Sequence, residues 1–298
     1  MMNKTARVLR SVGADILLFN GEKEIKALSP KQIKLQGLCA GDKVEYEFNE
    51  SSNAFILTKL LDRKNHIDRP TISNVDNAFI VISEVPKADF FVVDKILVYL
   101  GIENIKPFII ISKLDIIDEK FIDIVKEQYK DCVEDIIILS SFTKEGLEDF
   151  ISVTKGKVSV LIGQSAVGKS SLLNALGVNK IKTDSVALKV GKKVERGKNT
   201  TKNSQLYLTN YGALIADTPG FKMLSLENLE SEELMHYYVD IRDYAVKCKY
   251  ADCTHLPNND GCQVVKALND GKINEYRYDR YIKLKNALIQ NRKKNYGK

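Results

Sequence analysis

The sequence lacks any run of about 18 uncharged apolar residues, which is the length that a membrane-spanning helix needs. It also lacks the marks of a secretory signal. The amino terminus, MMNKTARVLRSVGADILLF, has no small-residue cleavage site after an apolar core, and it alternates as a strand does. Internal repeats and low-complexity tracts are absent too. We therefore expect no contact with a membrane and a cytoplasmic location.

Cysteine is scarce: the 298 residues contain five, an odd number. Three of them, Cys248, Cys253 and Cys262, lie in one short stretch with His255. The odd count and this crowding favour metal binding over disulfides. Three thiolates and one imidazole form the closed four-ligand set of a structural zinc site, so we predict one Zn²⁺ per chain. The alternative is a group of reduced cysteines beside a surface histidine.

The hydrophobic pattern changes twice along the chain, which predicts a multidomain protein. Residues 1–66 contain short strands between glycine-containing turns, as in a small β-barrel, of which an OB-like barrel is one kind. Residues 67–224 alternate apolar β-branched runs with helical stretches, which is typical of a parallel sheet in an α/β domain. Residues 225–298 carry helical signals without strand signals, so we expect an α-helical domain that holds the zinc site.

Four helices are specific enough to predict by position. Two lie in the α/β domain, near residues 90–100 and 119–130. In the last domain, Ser231 is a candidate amino-terminal cap for a third helix, and an amphipathic pattern predicts the fourth over residues 275–292.

A phosphate-binding loop follows an apolar strand in the second domain. The stretch GQSAVGKS fits GxxxxGK[ST] between the strand KVSVLI and the helical run SSLLNALG, the context that the motif requires. Its glycines allow a tight turn, so that backbone N–H groups face phosphates at a helix amino terminus. Lys169 would bridge the β- and γ-phosphates, and Ser170 would hold Mg²⁺. The candidate nucleotide-binding residues are Gly163, Gln164, Ser165, Ala166, Val167, Gly168, Lys169, Ser170 and Ser171.

Two further elements would complete a triphosphate site. Asp217 ends the apolar strand ALIAD and Gly220 follows three residues later, so Asp217 would meet the Mg²⁺ shell while the Gly220 N–H senses the γ-phosphate. Thr200 and Thr201 close a lysine-rich stretch, and one of their hydroxyls would be the switch ligand of Mg²⁺. The alternative for this stretch is a basic loop without a ligand role.

The elements that would read guanine precede the phosphate loop. In place of an [NT]KxD after Gly220, the stretch SKLD follows the upstream strand PFIIIS, and SS follows DIIILS. The aspartate would accept hydrogen bonds from the guanine edge. Because the termini of a compact domain often lie close together, a chain cut at a new position keeps its packed sheet, so this order predicts a circularly permuted GTPase domain. The candidate base-binding residues are Ser112, Lys113, Asp115, Ser140 and Ser141.

With these motifs, the chain resembles the circularly permuted ribosome small-subunit-dependent GTPase A family over nearly its full length. Further matching stretches are RKNHIDRPTISNVDN, GKNTT and DTPGF. The resemblance implies an OB barrel, a permuted GTPase domain and a zinc-binding helical domain. It also implies a factor that binds the small ribosomal subunit late in maturation and whose GTP hydrolysis the subunit stimulates. The catalytic residues that we expect are Lys169, Asn199, Thr200, Thr201, Asp217 and Gly220, with Mg²⁺ near Ser170, Thr200, Thr201 and Asp217.

Two positions depart from that family's pattern, and a third departs from the pattern of Ras-like enzymes. Ser112 stands where the family has Asn, whose amide contacts the purine and braces the phosphate loop, so we expect weaker guanine binding. Asn199 stands where the family has a His to which a role in hydrolysis is attributed. Phe221 follows Gly220, where Ras-like enzymes have a water-orienting Gln. The LPNNDG segment before Cys262 is also one residue longer than in the family.

The chain has a net charge of +6, and its basic residues are concentrated in particular stretches. Between residues 180 and 202 only Asp184 and Glu195 oppose a basic set: Lys180, Lys182, Lys189, Lys192, Lys193, Arg196, Lys198 and Lys202. Such a run is either a solvated face or a contact with a polyanion. The carboxyl-terminal stretch is similarly basic. Together with the resemblance, these stretches imply rRNA as a partner, and we expect the protein to be a monomer.

Three classes of function remain open at this point. The leading one is a GTPase that acts in ribosome assembly. The second is another P-loop enzyme, such as an ATPase or a small-molecule kinase, against which Asp115 argues. The third is a nucleotide-gated RNA-binding module with negligible turnover, which the missing His and Gln would permit.

Overall fold

The computed structural model describes residues 4–13, 15–68, 71–178, 205–217, 226 and 228–296. Five strands near the amino terminus form a closed barrel in the order β1-β2-β3-β5-β4. They are β1 (Lys4–Val12), β2 (Asp15–Phe19), β3 (Glu24–Leu28), β4 (Lys43–Asn49) and β5 (Ala54–Leu60), with helix α1 (Lys31–Leu35) between β3 and β4.

The barrel closes around alternate side chains of its strands. Val8, Ile16 and Leu57 are among its fully buried core residues, and buried and exposed residues alternate along β3. Strands β3 and β5 pair in parallel, whereas the other pairs are antiparallel. A closed five-stranded barrel confirms the predicted OB-like fold.

A buried carboxylate fixes the barrel to the segment that follows it. Asp42 accepts hydrogen bonds from the Arg63 guanidinium at 2.6 and 2.8 Å and from the Ser73 hydroxyl at 2.6 Å. Ser73 belongs to a short hairpin of β6 (His66–Asp68) and β7 (Thr71–Ser73). The predicted boundary between residues 66 and 67 falls at this hairpin, and the division into three domains stays a prediction.

The central domain contains a six-stranded sheet in the order β10-β9-β8-β11-β13-β12. Every pair in it is parallel except β12 with β13 at one edge. The strands are β8 (Asn77–Ile82), β9 (Lys106–Ser112), β10 (Ile136–Leu139), β11 (Val158–Ile162), β12 (Tyr207–Leu208) and β13 (Leu214–Asp217). All six residues of β8 are buried, as expected for a strand covered on both faces.

In its described residues this α/β domain contains helices α2 (Phe90–Ile102), α3 (Glu119–Tyr129), α4 (Leu147–Thr154) and α5 (Lys169–Ala175). The helices predicted near residues 90–100 and 119–130 are confirmed as α2 and α3. Each begins at an aspartate, Asp89 or Asp118, whose side chain accepts backbone N–H groups of the first turn.

The carboxyl-terminal segment is helical, as predicted, but its first helix differs from the prediction. Residues Glu233–Tyr237 form a 3₁₀ helix whose capping residue is Glu232, so the prediction of an α-helix capped by Ser231 is wrong. Leu234 and Tyr238 are buried, and this packing decides the local conformation. The α-helices that follow are α6 (Val239–Ala245), α7 (Gln263–Asn269) and α8 (Glu275–Tyr296), the last confirming the fourth predicted helix.

The carboxyl-terminal helices share a hydrophobic core with the central sheet. One continuous cluster of buried side chains includes Ile80 of β8, Leu97 of α2 and, from the carboxyl-terminal helices, Ile241, Val264 and Tyr281. None of the helices in the described ranges has the length and apolar character needed to cross a bilayer.

Candidate nucleotide and metal sites

The phosphate loop, residues 163–170, connects β11 to α5. A Cβ on Gly163 would come within 2.3 Å of the Val81 carbonyl oxygen, so only glycine fits this close beside β8. Gly168 has a φ of +101° and precedes the first residue of α5, a conformation that favours glycine. The two positions thus require glycine for different physical reasons: Gly163 because the backbone of β8 is close, and Gly168 because its φ is positive.

Lys169 points back over the phosphate loop. Its Nζ donates to the carbonyl oxygens of Gly163, at 2.9 Å, and Gln164, at 2.7 Å. Burial lowers the pKa of Lys169 from its usual 10.5, and the nearby Asp217 carboxylate opposes that shift. A bound polyphosphate would add negative charge and favour the charged amine further.

Ser170 and Asp217 form a second pair of polar groups beside the loop. The Ser170 hydroxyl donates to Asp217 Oδ2 at 3.3 Å. Their proximity follows from the sheet, because β11 and β13 are neighbours and Leu161 pairs with Asp217. A hydroxyl and a carboxylate are oxygen ligands that suit Mg²⁺.

Ser112, at the end of β9, contacts the phosphate loop directly. Its hydroxyl oxygen lies 2.5 Å from the Val167 carbonyl oxygen and 3.0 Å from the Ile82 carbonyl oxygen. The side chain is 3% exposed, and its hydroxyl has one hydrogen to donate. Ser112 therefore braces the phosphate loop. This is one of the two roles expected of the asparagine that the family has at this position, and a hydroxyl can perform it. Weaker guanine binding at this position stays a prediction.

Asp115 is joined to the loop that follows β10. Asp115 lies in a 3₁₀ turn, Leu114–Ile116, and accepts a hydrogen bond from the Ser140 hydroxyl at 2.5 Å. The backbone N–H groups of Phe142 and Thr143 donate to that same hydroxyl oxygen, each at 3.2 Å. The Ser140 hydroxyl thus has two roles. It holds the backbone of its own loop in place, and it orients the carboxylate of Asp115, the candidate guanine-reading group.

Lys113 connects the loop after β9 to the loop after β8. It has a φ of +66°, and its Nζ donates to the Val85 carbonyl oxygen at 2.6 Å, in the loop after β8. Ser141 follows Ser140 and is partly buried. Because parallel strands end at the same edge of a sheet, the loops after β8, β9, β10 and β11 meet there, and β13 ends there at Asp217. The predicted phosphate and base residues in the described ranges therefore lie at one edge.

The cysteine and histidine side chains predicted to bind zinc are brought together. The ligand atoms of Cys248, Cys253, His255 and Cys262 all lie within 4.8 Å of one another. His255 Nδ1 lies 3.7 Å from Cys248 Sγ and 3.8 Å from Cys262 Sγ, and these two sulfurs are 4.0 Å apart. A tetrahedral ion with metal–sulfur bonds of about 2.3 Å has ligand sulfurs about 3.8 Å apart, so the group fits one metal ion.

Neighbouring residues support this cluster from outside. The Val265 N–H donates to Cys262 Sγ at 3.4 Å, and the Asn259 amide donates to Cys253 Sγ at 3.5 Å, which favours thiolates. Burial lowers the pKa of His255 to about 4, so its imidazole is neutral near pH 7 and has a lone pair for a metal. The five cysteines are all free thiols, in agreement with the preference for metal binding over disulfides.

Several predicted residues lie outside the described part of the chain. These are Asn199, Thr200, Thr201, Gly220 and Phe221, together with the basic segment from Lys180 to Lys202. Their predicted roles in magnesium binding, hydrolysis and rRNA contact stay predictions.

Sequence analysis missed a buried network of charges between the central domain and the carboxyl-terminal helices. Asp94 of α2 is fully buried and accepts hydrogen bonds from Arg277 Nη1 at 2.7 Å, Arg280 Nε at 2.6 Å and the Tyr129 hydroxyl at 2.7 Å. Arg277 also donates to both carboxylate oxygens of Asp240, at 2.7 and 2.9 Å. An aspartate within the apolar helix FFVVDKILVYL was the signal available, since a charge at such a position needs a partner.

Known proteins resemble this chain in sequence. The family model for RsgA GTPase matches residues 60–227. A protein of Thermotoga maritima named small ribosomal subunit biogenesis GTPase RsgA is 34% identical over 280 residues, 92% of each chain. A protein of the same name from Geobacillus sp. (strain WCH70) is 37% identical over 247 residues, 81% of this chain and 82% of the relative.

Solved structures agree with this similarity. The crystal structure of YjeQ from Thermotoga maritima superposes with a TM-score of 0.80 at 29% identity, over 97% of this chain and 99% of that one. The structure of YloQ, described as a circularly permuted GTPase, gives a TM-score of 0.78 at 29% identity, over 97% and 96% of the two chains. The similarity thus extends through barrel, sheet and carboxyl-terminal helices alike.

Proposed function

The chain belongs to the RsgA GTPase family, and we propose that it hydrolyses GTP and acts in the biogenesis of the small ribosomal subunit. The observation that carries this proposal is the hydrogen bond from Ser140 to Asp115 at the sheet edge that also bears the phosphate loop. A P-loop enzyme that binds adenine would not use such a carboxylate, because adenine does not present two neighbouring donors to it. The relatives' names supply the ribosomal role.

Guanine selection follows from the chemistry of Asp115. A carboxylate accepts hydrogen bonds from two N–H donors on one edge of guanine, N1–H and the 2-amino group. Adenine does not present that pair of donors. Ser140 orients the carboxylate, and Lys113 and Ser141 complete the base site in this proposal.

The phosphate groups would lie against the loop from Gly163 to Ser170. When GTP binds, the Lys169 amine exchanges its two carbonyl partners for β- and γ-phosphate oxygens. Its positive charge then stabilises the negative charge that develops during phosphoryl transfer. Ser170 and Asp217 would hold Mg²⁺, and the ion would supply further charge stabilisation at the phosphates.

The remaining catalytic residues are proposed from the resemblance. Thr200 or Thr201 supplies the other magnesium ligand, Gly220 contacts the γ-phosphate, and Asn199 positions the attacking water. Asn199 can donate or accept a hydrogen bond but cannot take a proton at neutral pH, so turnover without the subunit is slow.

We propose that the ion held by Cys248, Cys253, His255 and Cys262 is a single Zn²⁺ with a structural role. Three thiolates with one imidazole suit zinc, and four protein ligands leave no open position for substrate. Metal analysis of freshly purified protein should give about one zinc per chain. A preparation that is folded and contains no zinc would contradict this assignment.

The proposed partner is the small subunit through its rRNA. The OB-like barrel and the basic residues between 180 and 202 would contact phosphates, so binding should weaken steeply as salt concentration rises. We propose that the protein acts as a monomer in the cytoplasm, where subunits are assembled.

The decisive experiment is nucleotide binding and turnover with and without purified small subunits. We expect GTP to bind at least 10²-fold more tightly than ATP. Purified subunits should increase the rate of GTP hydrolysis, whereas large subunits, as the control, should not. Equal binding of ATP and GTP, or a rate that small subunits leave unchanged, would refute the proposal.

A further inference from the structure

Phe142 exposes 86% of its surface, more than any other large hydrophobic residue in the described part of the chain. It lies in the loop after β10, three residues beyond the last strand residue, Leu139. An exposed phenylalanine is not unusual by itself, because folded proteins expose much apolar surface. Its position relative to the base-reading carboxylate is what calls for explanation.

Hydrogen bonds fix the Phe142 backbone beside Asp115. The Phe142 N–H donates to the Ser140 hydroxyl oxygen at 3.2 Å, and that hydroxyl donates to Asp115 Oδ1 at 2.5 Å. One side-chain oxygen therefore connects the backbone of Phe142 to the group that would bind the edge of a guanine. The Phe142 backbone is therefore held near the base site, and its side chain is largely open to solvent.

A flat base at Asp115 would have one neighbour on each side. The Lys113 side chain reaches from the loop after β9 toward β8, where its Nζ donates to the Val85 carbonyl oxygen at 2.6 Å. The loop that contains Phe142 follows β10, which flanks β9 on the side opposite β8. A base whose edge is bound by Asp115 would thus lie between the loop that contains Lys113 and the loop that contains Phe142.

We propose that Phe142 stacks on the purine ring of the bound guanine nucleotide. This inference rests on the proposed function, since it requires a guanine nucleotide with its edge on Asp115. An aromatic ring stacked on a base gains contact area and excludes water from one of its faces. The ring contacts the base and not the phosphates, and every base has such a face, so Phe142 contributes affinity while Asp115 contributes selectivity.

Phe142→Ala should weaken binding of GDP and GTP by the same factor, about 5- to 100-fold, as expected for the loss of one base–aromatic stack. The preference for GTP over ATP should stay as it is in the wild type. At saturating GTP the rate of hydrolysis should also be unchanged, because stacking on the base is equal in the ground and transition states. Phe142→Tyr, which keeps the ring, should bind GDP as the wild type does.

Thermal unfolding separates this role from a structural one. Because the ring is exposed, Phe142→Ala should melt at the wild-type temperature without nucleotide. The increase in melting temperature on adding GDP should be smaller, since ligand stabilisation depends on the ratio of ligand concentration to dissociation constant. A residue needed for folding would lower the melting temperature with and without GDP.

A tryptophan probe tests the contact itself. The chain contains no tryptophan, so Phe142→Trp introduces the sole indole fluorophore. We expect GDP to quench its emission with a midpoint at the dissociation constant measured by calorimetry. Phe48→Trp is the matched control, because Phe48 is half-exposed on β4 of the barrel and should give no response to GDP.

The possible failures differ in what they refute. If the wild type binds neither GDP nor GTP, the proposed function fails and the stacking proposal fails with it. If the wild type selects GTP over ATP but Phe142→Ala binds both nucleotides unchanged, the stacking proposal alone is overturned. It is also overturned if Phe142→Ala weakens association with small subunits and leaves nucleotide affinity as it was, because the ring would then contact the subunit.

Discussion

Asp115 carries guanine selection in the proposed site through the two acceptor oxygens of one side chain. Asp115→Asn replaces one of these oxygens by a donor, so we expect GTP to bind at least about 10²-fold more weakly. Xanthosine triphosphate has a carbonyl where guanine has its 2-amino group, and it should bind the variant more tightly than GTP does. Calorimetric titration with both nucleotides measures this reversal.

Asp118→Asn is the matched control for that change. Asp118 lies three residues further along and caps α3 through its side chain, a role that asparagine fills equally well. It should leave GTP affinity as in the wild type. If Asp115→Asn keeps the GTP preference, guanine is selected by other groups.

Ser112 offers a test of the brace between the base and phosphate loops. Ser112→Ala leaves the buried Val167 carbonyl oxygen without its hydroxyl donor, which typically costs about 1 to 3 kcal/mol. We expect lower stability in urea and weaker binding of both GDP and GTP, whereas Ser112→Thr, which keeps a hydroxyl, should behave as the wild type. Identical stability and affinity of the alanine and threonine variants would show that the hydrogen bond has no role in holding the loop.

How well the role of a single residue can be predicted depends on how far apart in the sequence the contacting residues lie. The phosphate loop is a local pattern of strand, glycines and helix, so eight consecutive residues predict its position. The contact from Ser112 to Val167 spans 55 residues and depends on which strands are neighbours. The sequence shows that position 112 is serine instead of asparagine. That this serine still braces the phosphate loop could be predicted only by knowing the order of the strands in the sheet.

At the scale of elements, helices α2, α6 and α8 are joined through buried charges. Arg277 is 2% exposed and bonds to Asp94 and Asp240. Arg277→Met would leave Asp94 with one cationic partner fewer in a desolvated site, which typically costs about 3 to 5 kcal/mol. We expect a lower urea midpoint for the whole cooperative transition, because the lost contacts connect two parts of one core.

Arg242→Met provides the comparison for that experiment. Arg242 pairs with the neighbouring Asp243 at 3.5 Å, where both side chains are largely in solvent, so its loss should cost less than about 1 kcal/mol. If the two methionine variants unfold at the same urea concentration, the buried network does not stabilise the junction.

Element positions were predictable where a periodic pattern or cap was decisive, as in α2 and α3. The stretch after Ser231 was not, although serine and two glutamates make a plausible helix start. There, buried Leu234 and Tyr238 pack into the shared core, and tertiary contacts select a 3₁₀ helix followed by α6. A short segment gains more from such packing than from its intrinsic helix propensity.

At the scale of the whole molecule, the barrel, sheet and carboxyl-terminal helices are held together by specific buried contacts. The Asp42 cluster fixes the barrel, and Gly101 of α2 lies so close to Tyr237 that a Cβ there would approach the tyrosine ring to 2.9 Å. The changes of sequence pattern that predicted three domains mark differences of architecture. They carry no information about how closely the parts pack, since that depends on contacts between distant residues.

In the proposed function the small subunit stimulates hydrolysis, and Asn199 provides the sharpest test of how the chemical step occurs. Its amide can orient a water molecule but cannot accept a proton at neutral pH, whereas an imidazole has an ordinary pKa near 6.5 and can do both. Asn199→His should therefore raise the maximal rate on small subunits by about 10-fold or more, and by no more than the roughly 10⁴-fold that a general acid–base group contributes at most. GTP affinity should stay unchanged, because the substitution acts on the nucleophile and not on the bound nucleotide. Single-turnover hydrolysis at saturating subunit, with Asn210→His in an exposed turn as the control, separates the chemical step from product release. A rate equal to that of the wild type would show that this position does not limit the reaction, and that the backbone or the ribosomal subunit orients the water.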